Sequence, residues 1–404
     1  KCFLFIIKKE DKYMVTVVVW YTVVLALIVS FVTMTILVNH NVILKYSNGR
    51  IKRFFAHPLL SFTIRRTGSA FISVFLAVTL TFFLLRIYDP STVFCTSIFS
   101  NKRIPIAIKN QLCQLKLQNL GMDSTLFSQY LKFLFNIIPF PKNVCITQTT
   151  RLVNGTWSLV CTRQEWKVVN LGVSAVISVD RPVSEFFASQ MPWSFYIGLC
   201  SMVVELLIGY PMGVFMAKYK NKWFDKLGNA YIILVGSIPS LVYFYLLQAL
   251  FVEGFHLPLR WSKTDFVSWI PAILTIGLSG VAGIALWVRR YMVDEFGADY
   301  IKFARAKGVP ENTILFKHVL RNAAVPLVRS IPAGVLYCLL GSYFVEKIYF
   351  VEGFGQLLVN SIQRNDYPIV QAVVLVSAII SIVASLIGDI TTAIVDPRVT
   401  FSSK

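Results

Sequence analysis

Few residues in this sequence have the type and spacing to do covalent chemistry. Ser279 stands between glycines, in Gly277-Leu278-Ser279-Gly280, inside an apolar run. A serine there becomes a nucleophile only beside a base. The four histidines are His40, His57, His256 and His318, and none lies in the middle of another apolar run. They supply neither that base nor a metal-ligating set. No Gly-Lys dipeptide occurs in the sequence, so it holds no phosphate-binding P-loop of the usual form. What remains are charges in costly places. Glu205, Arg329 and Asp389 lie within apolar runs, and an ionisable group inside a membrane points to function by default. Glu205 is expected either to face a lumen and meet an amine there, or to be hydrogen-bonded inside a helix bundle. Asp389, close to Asp396-Pro397-Arg398, reads as structural.

The elements around these residues follow from composition. The chain has 404 residues, of which 56% are hydrophobic and only 15% charged, with a mean hydropathy of +0.65. A soluble domain carries roughly 25% charged residues. A helical span needs about 20 apolar residues. Seven runs qualify: 14–38, 67–85, 193–217, 227–252, 266–288, 323–345 and 367–395. Within lipid only helices and closed barrels satisfy the backbone, and uninterrupted apolar runs lack the alternation of barrel strands. The expected class is an all-α polytopic membrane protein. The first run is expected to be a retained helix, because it is long for a signal segment and lacks a small-x-small cleavage site.

The net charge of +19 does not indicate nucleic acid, because the cations are distributed between spans. The 39–66 linker holds Lys45, Arg50, Lys52, Arg53, Arg65 and Arg66 without an acid. The next basic linker holds Lys218, Lys220, Lys222 and Lys226 against Asp225. The linker after the fifth run holds Lys302, Arg305, Lys307, Lys317 and Arg321. The linkers between these are poorer in cations. The positive-inside rule puts the rich linkers in the cytoplasm, with the N-terminus outside and the C-terminus inside.

Residues 87–190 interrupt the spans and are expected to form a small folded insert outside the membrane. "TTRLVNGTWSLV" reads as a hairpin around Asn154-Gly155, a pair suited to a type I′ turn. Asn154-Gly155-Thr156 also matches a glycosylation acceptor, weakly. Cys95, Cys113, Cys145 and Cys161 fall in this insert. An even count outside the cell invites a disulfide reading, but small buried thiols are the favoured expectation. A two-residue turn sets Cys161 opposite Gln148 and Cys145 opposite Gln164. Strict alternation of faces then points Cys145 and Cys161 to opposite sides.

The segment 299–323, "DYIKFARAKGVPENTILFKHVLRNA", is polar and mostly basic between two apolar runs. Gly308-Val309-Pro310 divides it into two short helices, and Glu311 at the start of the second suits the helix dipole. Ile314, Leu315, His318, Val319 and Asn322 follow helical spacing and form one expected stripe. Lys317 and Arg321 make a basic edge. The stripe is narrow for a membrane-surface helix. A docking surface that fits a groove on a cytoplasmic protein suits it better.

This segment resembles the cytoplasmic coupling loop of ABC-importer permeases in the form found in oligopeptide and dipeptide permeases. "DYIKFARAKG" and "KHVLRNAAVP" carry the likeness. The general importer pattern has Glu-Ala-Ala before the glycine. Here those places are Lys302, Phe303 and Ala304, which is similar to the habit of the peptide subfamily. "FTIRRTGSAFISVFLAVTLTFFLLRIYDP", "RPVSEFF", "SIPSLV", "WVRRYM", "VEKIYFVEGFGQLL", "NDYPIVQAVVLV" and "VDPRV" extend the resemblance over about residues 62–400, apart from much of the insert.

The resemblance implies a bacterial inner-membrane permease subunit, with an extension at 1–61, a first core helix at 62–86, the insert at 87–190 and a core at 191–404. The coupling loop would span 289–327. Its implied partners are the lipid bilayer, a second permease subunit, two ABC ATPases and an extracytoplasmic substrate-binding protein. ATP and Mg would be used in the ATPases, and no cofactor is expected on this chain. The implied docking residues are Ala304, Arg305, Ala306, Lys307, Glu311, Lys317, His318, Arg321 and Asn322, with Gly308 shaping the turn. Peptides, first of all oligopeptides, are the implied substrate.

Pathway candidates are Glu205, Ser237, Pro239, Ser240 and Gly280. Pro239 would bend the fourth span, while Gly277, Gly280 and Gly283 allow close helix approach in the fifth. Plain packing is the competing account of those glycines. Two other functions compete with this one. The Ser279 motif resembles the nucleophile motif of rhomboid intramembrane proteases but lacks a base. An ion-coupled secondary transporter would show inverted repeats and membrane ion sites, which this sequence does not display.

Overall fold

The computed structural model describes residues 58–395, except 87–93, 96–97, 100–104, 120–121, 123, 154–155 and 180. The expected 14–38 span, His40, His57, the Asn154-Gly155 turn and the closing 396–399 motif lie outside the described residues. The described residues form two compact units, one of residues 58–185 with Ser361–Ala378, the other of Phe186–Asn360 with residues 379–395.

In the first unit, α1 (Pro58–Leu85) carries an apolar stretch at Phe71–Leu85. It is followed by α2 (Ile106–Asn119), α3 (Leu126–Ile137) and an antiparallel hairpin of β1 (Lys142–Val153) and β2 (Thr156–Lys167). The strands pair out to Val153↔Thr156, as a two-residue turn requires.

One expectation about this hairpin is corrected. The register is the expected one, with Gln148↔Cys161 and Cys145↔Gln164. Yet Cys145 and Cys161 are disulfide-bonded, their Cα atoms 5.9 Å apart. Register shifts lie between Cys145 and Thr147 and between Thr147 and Gln148. Such irregularities bend and twist a strand, so strict alternation of faces fails across them. A second disulfide joins Cys95 to Cys113, with Cα atoms 5.4 Å apart, so the expectation of buried thiols is corrected for all four cysteines. A small unit with a limited core gains from such cross-links.

Asp366 anchors the loop after the hairpin. It is fully buried and accepts from Ser174 Oγ at 2.5 Å and from the amides of Ala175, Val176 and Ile177 at 3.0, 3.0 and 2.9 Å. Asp366→Ala would orphan these donors, each at about 1–3 kcal/mol. The expected result is a protein whose 174–177 loop becomes protease-sensitive while its helix content is unchanged. Uncut protein under conditions that leave wild type intact would refute this anchoring.

In the second unit, α4 (Val183–Lys218) is a single helix although Pro192 and Pro211 lie inside it. The expected fourth span is broken. α5 (Trp223–Ser237) and α6 (Ser240–Ala249, extended by a π-turn over Leu250–Gly254) meet at 112°. Pro239 caps α6, and its missing N–H and fixed φ turn an expected bend into a corner.

A 3₁₀ turn (Phe266–Trp269) leads into α7 (Ile270–Phe296). After the polar segment, the short helices Val325–Val328, Ile331–Tyr337 and Tyr343–Ile348 follow one another within Glu311–Ile348, a stretch long and apolar enough to cross a membrane, as expected for the sixth run. Gly341, at φ +65°, separates the last two. α8 (Phe354–Gln363) precedes α9 (Tyr367–Val395), whose bounds are those of the seventh apolar run.

The α4–α7 contact rests on glycine. A Cβ on Gly213 would stand 2.6 Å from Val288 Cβ and 2.7 Å from the Ala285 carbonyl. Gly209 is pressed likewise against Ile284, Gly277 against Val204 and Gly280 against the Glu205 carboxylate. Gly283, expected to share this role, has nothing within 4 Å of its Cβ position. It faces away from the contact.

Candidate functional site

The polar segment folds as an elbow. Its first arm is the helix Asp299–Ala306. Gly308 has φ +76°, its amide donates to Arg305 O at 2.9 Å, and Val309 N donates to Ala304 O at 3.1 Å. This is a Schellman closure, which needs a residue in the left-handed region and usually brings an apolar contact with it. The second arm begins at Glu311–Thr313, continues as a π-helix over Ile314–Val319 and ends in Leu320–Ala323. Arg305 bridges the two arms, with Nε 2.7 Å from Glu311 Oε1 and an Nη 3.4 Å from Oε2.

Apolar anchors hold the elbow. Ile301, Ile314, Leu315, Val319 and Ala323 are buried in one cluster with Val214 and Ala217 of α4 and Val288 and Met292 of α7. Burying a side chain of this size contributes about 1.5–3 kcal/mol. The Arg305–Glu311 pair is largely exposed, and such pairs contribute about 0–1 kcal/mol. Packing therefore fixes the elbow to α4 and α7, and the ion pair sets the angle between its arms.

The expected contact residues divide in two. Arg305, Ala306, Lys307, Gly308, Glu311, Lys317, Arg321 and Asn322 are exposed. Ala304 and His318 are half-buried, and Ala304 packs into the anchoring cluster. The expected stripe is also corrected: Ile314, Leu315 and Val319 are buried, while Asn322 is exposed. Ile314–Val319 is π-helical, with i→i+5 bonding, so Asn322 beyond it is rotated off the face that 3.6-residue spacing extends. Asn322 instead donates to the Tyr300 hydroxyl at 2.8 Å, which in turn bonds Glu295.

Sequence reasoning passed over Phe303 and Phe316, which are 68% and 60% exposed on the elbow. The signal was a phenylalanine at a position off the apolar stripe. Exposed aromatics beside cations are the composition of interface hot spots.

Of the pathway candidates, Glu205 and Gly280 are brought together. The glycine leaves room for the carboxylate, and Glu205 lines a cavity of about 290 Å³ with Met202, Ile276, Ser330, Tyr337, Cys338 and Glu346 among its other walls. Ser237, Pro239 and Ser240 are not in that lining. They are exposed at the α5–α6 corner.

Glu346 was not foreseen as a site. It is 2% exposed, accepts from Ser194 Oγ at 2.7 Å and from Gln356 N at 2.8 Å, and Phe354 N donates to the same Ser194 oxygen at 2.7 Å. Gly341, Gly353 and Gly355 crowd around its carboxylate, and a Cβ on the first two would overlap it. At the far end of α7, Arg289 donates twice to Asp225, at 2.6 and 2.8 Å, and Asp225 also accepts from Asn221 N and Asn229 Nδ2. This bidentate pair, its carboxylate buried and its guanidinium half-buried, joins α5 to α7 next to the basic linker.

Four helices are long and apolar enough to cross a membrane, and the bent pair adds a fifth, among the described residues. With these helices, the chain is a multi-pass membrane protein. The family described as binding-protein-dependent transport system inner membrane component matches residues 209–401. The dipeptide transport system permease protein DppB of Lactococcus lactis subsp. cremoris is 30% identical over 345 residues, which cover 84% of this chain and 99% of DppB. This chain belongs to that family of transport-system inner membrane components.

The oligopeptide transport system permease protein AmiC of Streptococcus pneumoniae is 33% identical over 222 residues, 54% of this chain. There the chain spans 44% of the relative's length. The glutathione transport system permease protein GsiC of Pectobacterium atrosepticum is 30% identical over 288 residues, 70% of this chain and 83% of GsiC. A solved amino acid ABC transporter overlaps 54% of this chain and 95% of its own at 16% identity, with a TM-score of 0.37. Membership in a family of transport components sets aside the serine-protease and ion-coupled readings.

Proposed function

We propose that this chain is a permease subunit of an ATP-driven importer of peptides, with oligopeptides the first choice. It forms half of a translocation pathway with a second permease subunit. The elbow faces the cytoplasm and seats in a groove on one of two separate ATPases, where ATP and Mg are used. Residues 87–190 face outward, where a substrate-binding protein delivers cargo. The carrying observation is the elbow itself: an apolar anchor on α4 and α7 beneath an exposed surface of Phe303, Phe316, Lys317 and Arg321. A movement of the ATPase would thereby reach both helices as a rigid-body displacement. The dipeptide and oligopeptide systems named for DppB and AmiC support the choice of cargo.

The test is co-purification followed by transport. ATPase subunits and a second permease are expected to accompany the gently extracted chain. Arg321→Glu and Phe316→Ala are expected to cut peptide uptake about tenfold or more, the scale of an interface hot spot, with membrane levels unchanged. Arg305→Glu should uncouple ATP hydrolysis from uptake, and adding Glu311→Arg should restore much of the coupling by rebuilding the brace. Full uptake by Arg321→Glu and Phe316→Ala together would end the docking account.

A further inference from the structure

The first unit contains a second cavity, of about 400 Å³, separate from the elbow and from the Glu205 cavity. Its lining includes Arg86, Lys132 and Lys142 and, among the described residues, no carboxylate. Arg86 follows α1 directly. Its guanidinium lies 5.2 Å from the Phe82 ring centroid, and one Nη meets Met122 Sδ at 3.2 Å. Its Nε is buried without a partner. Gln371, in the second turn of α9, is 9% exposed, and its Nε2 is also buried without a partner. Gln129 uses its Nε2 on the Met122 and Ser124 carbonyls and leaves Oε1 unpartnered. Orphaned buried polar atoms are costly and uncommon, and here two donors, one of them on a guanidinium, and an acceptor line one space. Lys142 is not among the orphans, since its ammonium holds the carbonyls of Asn136 and Ile138 at the end of α3.

An apolar surface adjoins this basic cavity. Phe127, Leu131, Phe135 and Ile138 recur at helical spacing along α3 and are all at least half exposed. Phe135 belongs to both the stripe and the cavity lining. The cavity lies at the ends of two apolar helices, α1 and α9, where lipid headgroups lie and where cations and aromatic side chains gather. A soluble anion would satisfy the donors and leave the stripe bare. An amphiphile satisfies both.

We propose that this cavity binds the phosphodiester of an anionic phospholipid, with its acyl chains along the exposed face of α3. Arg86 Nε and Gln371 Nε2 donate to phosphate oxygens, Lys132 adds charge, and Gln129 Oε1 accepts from a headgroup hydroxyl. The site depends on membrane placement and not on the cargo proposed above. A failure of peptide transport leaves it standing, and its own failure leaves the elbow untouched.

The test uses the purified complex in nanodiscs with equal parts of phosphatidylglycerol and phosphatidylcholine, with retained lipid read by native mass spectrometry. Wild type should retain phosphatidylglycerol preferentially. Arg86→Gln should reduce that preference about tenfold, the scale of a charged hydrogen bond. Lys132→Ala, exposed with one 3.4 Å contact to Ser124, should fold normally and reduce it about threefold. Gln371→Leu removes a donor that has no protein partner. It should leave thermal stability equal or higher in phosphatidylcholine alone, yet lose the stabilisation that phosphatidylglycerol gives wild type. This variant and Lys132→Ala decide the matter if Arg86→Gln fails to assemble. Absence of preference in wild type, or preference unmoved in Lys132→Ala and Gln371→Leu, overturns the proposal. Displacement of the lipid by a free-acid peptide but not by its C-terminal amide also overturns it and assigns the cavity to substrate.

Discussion

Glu346→Ala is expected to prevent recovery of folded protein rather than to yield a stable, inactive one. The substitution strips the acceptor from Ser194 Oγ and Gln356 N and enlarges a cavity that the side chain already borders. Each orphaned buried donor costs about 1–3 kcal/mol, and a fold is stable by only about 5–15 kcal/mol. The loss is thus a large fraction of the total before the added void is counted. Glu346→Gln keeps the shape and one accepting oxygen, so it should fall between wild type and alanine. Glu352→Gln is the control. Glu352 is exposed, with Lys263 Nζ 2.7 Å away, and an exposed pair contributes about 0–1 kcal/mol. Monodisperse yield and the midpoint of thermal aggregation should rank the variants in that order. Equal midpoints for Glu346→Ala and Glu352→Gln would show that the carboxylate does not hold this loop.

Gly213→Leu should be comparably severe, by the opposite mechanism. Alanine at this position would gain about 1 kcal/mol of helix propensity and lose about 1–3 kcal/mol to overpacking. Leucine has a smaller propensity gain and adds three further carbons to a site where the first atom already overlaps Val288 and a backbone oxygen. Backbone cannot rotate away, so α4 and α7 must separate, and the elbow's anchor, built on both helices, goes with them. Gly283→Ala is the matched control, since its Cβ position is open. It should be neutral or slightly stabilising. Proteolysis of the 299–323 segment reports both outcomes: rapid cleavage in Gly213→Leu, wild-type rates in Gly283→Ala. Wild-type cleavage in Gly213→Leu would refute close packing as the support of the elbow.

Features with a local cause were legible in the sequence. Long apolar runs gave the bounds of α9, and Gly308-Val309-Pro310 marked the division of the elbow. The hairpin register followed from its turn. What escaped depends on partners distant in sequence or on departures from regular geometry. Nothing near Asp225 announces Arg289, and Glu346 meets Ser194 only after the chain has folded. The bulged register brought Cys145 to Cys161 against a sound argument from alternation. The π-helix displaced Asn322 from a stripe that 3.6-residue spacing had drawn. Gly209 and Gly213, four apart in an apolar run, carried a readable signal for close approach, and it was the glycines of α7 alone that drew attention.

The corner between α5 and α6 has a consequence for solvent. Pro239 offers no N–H, so the Val235 carbonyl lacks its helical partner, and Gly236, Ser237, Pro239 and Ser240 are uncovered in the isolated chain. A carbonyl dipole stranded in hydrocarbon costs several kcal/mol. Acyl chains therefore make a poor neighbour for this vertex. It calls for hydration or for a protein lid.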